Sequence, residues 1–281
     1  MLLAFISAIT SATSVIVDKV LLTRERIPLG VLLTIGFIFI AGMSLIISPF
    51  FARVDWDTAL FPNSLFLIFL MALLALSSNV LYYQSLKKQK VHNHELMMML
   101  APLMTIILAA VFFPEDLDLR IFGLALVASA ALLFAKSEKE HFFLDKDSYN
   151  TFLAVVLISA ETIVIKELLY SYTPIALYTV RAIILAIFFM AYYRPGYSKV
   201  TIKHWWMIAG SSLLGLILMI TRYYALADLG VIYTMMILVL SPMIVYFFSW
   251  ELLNEKIRPK VLVAAVIILT CVTWATLLSF N

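Results

Sequence analysis

Ten apolar segments, each about as long as a membrane-spanning helix, dominate this sequence of 281 residues. A helix needs about 20 mostly apolar residues to cross the hydrocarbon of a bilayer. The segments are continuous runs rather than alternating ones, which predicts helices and not the strands of a barrel. With edges good to about three residues, they are residues 2–22, 29–51, 65–86, 91–113, 119–135, 150–170, 175–193, 205–227, 230–250 and 260–280.

The composition excludes a soluble domain, a disordered chain and a disulfide scaffold. Hydrophobic residues make up 64% of the chain and charged residues 13%, whereas soluble domains average about 45–50% and about 25%. A soluble core of this length could not bury so much apolar surface. Cys271 is the single cysteine and cannot form an internal disulfide. We therefore predict an all-α integral membrane protein of ten transmembrane helices, with the lipid bilayer as a partner.

The positive charges are distributed unevenly between the two sets of connecting loops. Loops after odd-numbered segments carry fifteen of the 20 Lys and Arg residues, whereas loops after even-numbered segments carry only Arg53 and Arg120. The positive-inside rule places the odd-numbered loops in the cytoplasm, and ten spans then place both termini outside. The predicted location is a multi-pass position in the cell membrane, plasma or inner.

The second half of the chain repeats features of the first half. At a shift of 140 residues the identical pairs are Tyr83 and Tyr223, Leu86 and Leu226, Val91 and Val231, Leu100 and Leu240, Pro102 and Pro242, and Glu115 and Glu255. Residues 17–22 also resemble residues 164–169. The predicted units are residues 1–140 and 141–281, with five spans each. Because five is odd, the second unit enters the membrane from the opposite side, as in the inverted repeats of many secondary transporters. The alternative is a chance match between two apolar sequences.

The repeated motif resembles the EamA-type unit of the drug/metabolite transporter superfamily. That unit has Tyr-x-Ala/Ser-Leu at the end of its third helix, then a Pro within the fourth helix and a Glu at its end. Residues 83–86 and 223–226 have the first motif, and the paired prolines and glutamates follow each of them. Arg181 also looks like the arginine common in the second helix of such units. The resemblance implies a ten-helix secondary transporter of small metabolites. Many relatives have cytoplasmic termini, whereas the charge count here indicates the reverse.

Two ionisable residues lie well inside predicted spans, where an unpaired charge costs several kcal/mol. Glu161 and Arg181 are about 11 and 9 residues from the turn near residue 172, and so at depths of about 17 and 13 Å. Glu161 is a candidate proton site, or a ligand for the amino group of a substrate. The alternative is a static Glu161–Arg181 ion pair that joins two helices.

Four further polar residues are predicted to bind substrate. Arg222 could hold a carboxylate or a phosphate through its guanidinium, or could extend to the interface beside Tyr223 as part of an aromatic belt. Asn79 lies in a polar stretch of the third span, which fits either a cavity wall or hydrogen bonding between helices. Tyr83 belongs to the repeated motif. The predicted cavity lies at the bilayer midplane between the two halves and is lined by spans 1, 3, 4, 6, 8 and 9.

The remaining candidates are a cluster of two histidines and a glutamate, and a pair of prolines. His92, His94 and Glu95 open the fourth span, but histidines two residues apart on a helix point to different sides and chelate a metal poorly. His94 and Glu95 are instead a candidate gate, or an ordinary interface cluster. The paired Pro102 and Pro242 predict helix kinks at the cavity, with kinks that serve packing alone as the alternative.

Several functions have no support in the sequence. There is no Walker A, Gly-x-Ser-x-Gly or His-Glu-x-x-His motif, so we predict no catalytic residue, no metal and no cofactor. No basic stripe indicates nucleic-acid binding. The predicted function is alternating-access transport of amino acids or similar amphiphilic solutes, by a monomer or a homodimer, with a proton as a possible partner through Glu161. The alternatives are an intramembrane enzyme and a transporter of lipid or nucleotide-linked sugar.

Overall fold

The computed structural model describes residues 1–89, 94, 97–98, 100–114, 117–136, 146–194, 200–241, 243–244 and 259–279. Within these residues the fold is helical throughout, with one isolated antiparallel bridge between Val54 and Tyr172 and no strand. The helices are α1 (Leu2–Thr23), α2 (Leu29–Phe51), α3 (Trp56–Ala59), α4 (Pro62–Lys88), α5 (Leu100–Phe112), α6 (Leu119–Lys136), α7 (Lys146–Leu168), α8 (Pro174–Tyr193), α9 (Ile202–Leu238) and α10 (Pro259–Ser279).

The helix bounds follow the apolar segments closely. Among the described residues, α1, α2, α4, α8 and α9 are long and apolar enough to cross a membrane, and shorter apolar helices span residues 100–112, 119–131 and 263–278. The all-α membrane class is therefore confirmed. The short α3 is not predicted by the sequence; it depends on the Asp55 side chain, which accepts a hydrogen bond of 3.2 Å from the Asp57 backbone N–H.

The predicted boundary between the eighth and ninth segments corresponds to a break within α9. Gly230 has φ 74° and ψ 175°, outside the helical region. Two carbonyl groups just before the break gain side-chain donors. Thr234 donates to Ala225 at 2.9 Å, and Lys166 donates to Leu226 at 3.4 Å. The break therefore separates α9 into two limbs without leaving these carbonyl groups unpaired.

Gly230→Ala is expected to cost about 1–3 kcal/mol of stability, because only glycine adopts this backbone conformation without strain. Gly42→Ala is the matched control: Gly42 is exposed on α2 and a Cβ there meets nothing within 4 Å. The control should be neutral or slightly stabilising, because alanine favours helix. Thermal unfolding of the two variants in detergent measures the difference. Equal melting temperatures would contradict the strained conformation at Gly230.

Helices of the two halves pack against each other in pairs. The most extensive contacts join α1 with α9, α4 with α7, α2 with α8, and α6 with α10. In the predicted repeat, α1 corresponds to α7 and the first part of α9 corresponds to α4, so the α1–α9 contact corresponds to the α4–α7 contact. The α2–α8 contact joins two helices that correspond to each other. These contacts each join a helix before residue 137 to a helix after residue 145.

Two contacts link connecting loops of the two halves. Glu25, after the first span, accepts a hydrogen bond of 2.8 Å from Lys203, before the eighth span. This bond lowers the pKa of the Glu25 carboxyl below its ordinary value. Arg53, after the second span, exchanges backbone and side-chain hydrogen bonds of 2.9–3.1 Å with Thr173, after the sixth. Each contact joins two loops that the alternation of spans puts on one side.

Candidate functional site

A cavity of about 170 Å³, whose largely apolar wall includes several polar and charged side chains, lies between the two halves. Its wall is formed by α1, α2, α4, α7, α8 and α9, which include the second and seventh spans. The fourth and ninth spans contribute no lining residue among those that the structure describes, in contrast to the prediction. All six residues predicted to bind substrate line this cavity: Asn79, Tyr83, Glu161, Arg181, Arg222 and Tyr223. The cavity is many times larger than the about 10–15 Å³ that one water needs.

Glu161 and Arg181 form a buried ion pair at the cavity wall. Arg181 Nε donates to Glu161 Oε1 at 2.6 Å, and the two side chains are only 5–6% exposed. Ser78 Oγ donates to the other carboxylate oxygen at 3.4 Å. Glu161 on α7 and Arg181 on α8 thus form the ion pair that their similar predicted depths in the membrane made possible. Because the pair also lines the cavity, its charges are available to a solute there.

Arg222 brings a second guanidinium group to the cavity. It is half-buried, and its Nη2 lies 3.7 Å from the sulfur of Met235. Among the described residues it makes no ion pair. Its side chain lines the cavity. A guanidinium with a thioether as its polar contact retains donors for an anion.

Two tyrosines form an aromatic corner beside these arginines. The rings of Tyr178 and Tyr223 meet edge to face, with centroids 5.6 Å apart. Tyr223 is fully buried, and its hydroxyl has no hydrogen-bond partner in the part of the chain that is described. A buried hydroxyl without a partner costs free energy. A solute in the cavity could provide the missing acceptor or donor.

The two predicted residues of α4 make different contacts. Asn79 Nδ2 donates to the Ala75 carbonyl at 2.7 Å, within its own helix. Tyr83 donates through its hydroxyl to Asp18 Oδ2 at 3.1 Å. Both side chains are half-buried. Together with Ser78 and Tyr82 they form the α4 part of the wall, and Tyr83 contacts an acidic residue of α1.

Asp18 is the charged residue of the cavity that the sequence interpretation missed. It is 3% exposed on α1 and lines both the main cavity and a neighbouring one of about 40 Å³. Its presence as an acid within the predicted first span was the available signal. Its position beside Lys19 near the end of that span made the two resemble an ordinary interfacial pair.

The predicted gate and kinks lie elsewhere or outside the described residues. His94 is fully buried, lies 3.0 Å from Ser85 Oγ through Nδ1, and does not line the cavity. Pro102 is half-buried on α5 and is also absent from the wall. Glu95 and Pro242 lie outside the described residues, as do His92, Glu115 and Glu255. Across the described ranges, no three His, Cys, Asp or Glu residues are grouped so as to hold a metal ion.

Comparison with known proteins gives one family and one fold. The model of the EamA-like transporter family matches the chain twice, over residues 1–136 and 149–277. A solved structure, described only as a crystal structure of a protein, is 13% identical to the chain with a TM-score of 0.71. That similarity covers 98% of this chain and 99% of the other. At this identity it shows the fold alone. No curated protein matches the chain.

Proposed function

Because the chain belongs to the EamA-like transporter family, we propose that it moves small zwitterionic metabolites, first of all amino acids, by alternating access to the cavity. Family membership and the apolar helices make it a multi-pass membrane protein and a transporter of small solutes. The substrate class and the mechanism are the proposal. The observation that carries the proposal is the charged lining of the cavity.

The cavity lining combines equal numbers of acidic and basic groups. Asp18 and Glu161 are the acids, and Arg181 and Arg222 are the bases. A wall with no net formal charge suits a solute that is neutral overall and carries charged groups of its own. Arg222 is the proposed ligand of the substrate carboxylate, because a guanidinium binds a carboxylate through two parallel hydrogen bonds. Tyr223, with its unpaired hydroxyl, lies next to it in the chain.

Equivalent lysines of the two halves support an inverted repeat. Lys19 Nζ donates to the Leu86 carbonyl at 2.6 Å, and Lys166 Nζ donates to the Leu226 carbonyl at 3.4 Å. Lys19 and Lys166 are paired by the sequence repeat, and so are the two leucines. The same contact thus occurs once in each half.

Alternating access needs two conformations of similar free energy. Repeats related by an inverted two-fold provide them, because each half can adopt the arrangement of the other. In this proposal the α1–α9 and α4–α7 pairs move around the cavity. Odd-numbered loops lie in the cytoplasm, both termini lie outside, and the substrate moves outward or along its gradient.

Counterflow into proteoliposomes tests the proposed function. The full chain is reconstituted in vesicles preloaded with unlabelled amino acids, and uptake of the same labelled amino acids is measured one at a time. We expect accumulation above that of protein-free vesicles for at least one of them. Absence of counterflow for the whole panel, with circular dichroism showing folded protein, would contradict an amino-acid substrate. Uptake of a lipid or a nucleotide-linked sugar instead would establish the alternative substrate classes.

A further inference from the structure

Asp18 presents a carboxyl group to internal space without exposing it to bulk water. The side chain lies in the C-terminal half of α1 and is 3% exposed. It contributes to the walls of both cavities, the one of about 170 Å³ and the one of about 40 Å³. Any ion that enters the protein through the main cavity therefore has access to this carboxyl.

Three hydroxyl groups surround the carboxyl. Tyr83 and Ser14 donate to Oδ2, at 3.1 and 3.4 Å, and Ser211 donates to Oδ1 through a short hydrogen bond. A carboxylate has about four acceptor positions, so one position remains. The donors come from α1, α4 and α9, so the site is assembled from both halves of the chain.

Among the described residues, no basic group is paired with this carboxyl. The neighbouring Lys19 directs its amino group to the carbonyls of Leu86 and Gln89. The other titratable side chain on α4 close to it is Tyr82, whose ring meets that of Tyr83 edge to face. On α2, the wall of the smaller cavity is apolar, with Leu32, Leu33 and Phe37. The charged groups of α7, α8 and α9 in the main cavity are Glu161, Arg181 and Arg222.

The other acid of the cavity is in a different situation. Glu161 is already neutralised by Arg181, whose Nε lies 2.6 Å from it. A cation that replaced Arg181 would leave a buried guanidinium unpaired, which is costly. Burial penalises the charge of Asp18, whereas the three hydroxyl donors stabilise that charge. These opposing contributions are what a group that exchanges an ion requires.

We propose that Asp18 is the proton-exchange site of this protein, a role that rests on the proposed transport function. A proton from water on one side of the membrane binds a carboxylate oxygen of Asp18, and the neutral carboxyl then donates a hydrogen bond to a neighbouring hydroxyl oxygen. After the cavity opens to the other side, the proton returns to water there and the carboxylate is restored. Asp18 thereby takes the role that the sequence assigned to Glu161.

The surroundings favour a proton over a metal cation or the substrate itself. The three hydroxyls offer hydrogen atoms to the carboxylate, and among the described residues no three His, Cys, Asp or Glu side chains are grouped so as to hold a metal ion. Ser211 and Arg222 are eleven residues apart on α9, a rise of about 16 Å. Asp18 and Arg222 therefore lie at different depths. A solute bound through its carboxylate at Arg222 leaves Asp18 available to the proton.

Infrared spectroscopy tests proton binding without any substrate. The full chain is reconstituted in lipid, and spectra are recorded while the pH is lowered stepwise. We expect a carbonyl band of a protonated carboxyl shielded from water that disappears in Asp18→Asn. The band should persist in Asp57→Asn, the same substitution at an exposed site on α3, and in Glu161→Gln. Persistence of the band in Asp18→Asn, or its loss in Glu161→Gln alone, would overturn the proposal.

Two milder variants keep the test valid if Asp18→Asn does not fold. Tyr83→Phe and Ser211→Ala each remove one hydroxyl donor to the carboxylate and keep the carboxyl itself. Each should move the midpoint of the band to higher pH, because the charged form loses a hydrogen bond. An unchanged midpoint in both variants would show that the band does not come from Asp18.

A transport measurement then separates this proposal from the proposed function. Uptake of labelled amino acids is compared with and without an imposed pH gradient, and with a sodium gradient in its place. In wild type the pH gradient should increase the initial rate at least tenfold over the rate without a gradient. In Asp18→Asn the two rates should be equal. Acceleration by sodium instead of protons would overturn the proton site, whereas absence of all uptake with the infrared band present would contradict only the transport function.

Discussion

Arg181→Met should destabilise the protein by about 3–5 kcal/mol, the usual cost of removing one partner of a buried ion pair. Arg181 and Glu161 are both buried, and their contact is 2.6 Å long. Methionine fills a similar volume without charge and leaves the carboxylate of Glu161 buried without its guanidinium partner. Ser78, at 3.4 Å, is too weak a donor to replace the guanidinium. Thermal and denaturant unfolding of the purified protein measure the effect.

The double variant Glu161→Gln/Arg181→Met shows whether the unpaired carboxylate causes the loss of stability in Arg181→Met. It removes both charges, so it should regain most of the lost stability. Arg120→Met is the surface control, because Arg120 is exposed at the start of α6; it should leave the melting temperature unchanged. If the single and double variants are equally unstable, the loss comes from packing at position 181 and not from the unpaired carboxylate.

Arg222→Ala is expected to raise the KM for the transported solute by about 10–100-fold. A hydrogen bond to a charged group contributes about 1.5–3 kcal/mol, and each 1.4 kcal/mol is a factor of about ten in affinity. Since Arg222 makes no ion pair within the described part of the chain, its removal leaves no unpaired carboxylate there. Folding should therefore be affected much less than in Arg181→Met. Initial rates over a range of solute concentrations give KM and the maximal rate separately.

Arg222→Lys and Arg120→Ala are the comparison variants for the effect of Arg222→Ala on KM. Arg222→Lys keeps the charge but not the two parallel donors, so its KM should lie between those of wild type and Arg222→Ala. Arg120→Ala, at an exposed position, should leave KM unchanged. A KM within twofold of wild type in Arg222→Ala would remove Arg222 from the substrate site. The role of the cavity would then have to rest on other lining residues.

The helices were largely predictable because the membrane imposes a strong pattern on the sequence. Apolar runs of about 20 residues have few alternatives to a spanning helix. The bounds of α1, α2 and α8 accordingly differ from the predicted segments by no more than one residue at either end. The gap between the eighth and ninth segments marked the break at Gly230. The short α3 was missed because one side-chain cap, and no periodicity, defines it.

The cavity was predictable for a related reason. Polar side chains inside spans are costly in lipid and therefore face the interior, so six scattered residues were found in one wall. Their detailed contacts were not predictable. Asp18 contacts Ser211, 193 residues away in the chain, and no local pattern links two such residues. His94 is an interior residue that contacts Ser85 and Tyr82, and this three-dimensional environment is absent from the His-x-His-Glu pattern.

Labelling of the cavity from each side of the membrane tests alternating access most directly. Asn79→Cys, in a Cys271→Ser background, places one thiol at the cavity wall. A small charged methanethiosulfonate reagent that does not cross lipid is added to vesicles of right-side-out and inside-out orientation in turn. The account predicts labelling in both orientations, because the cavity opens alternately to each side. Labelling in one orientation only, with full labelling after solubilisation in detergent, would contradict it.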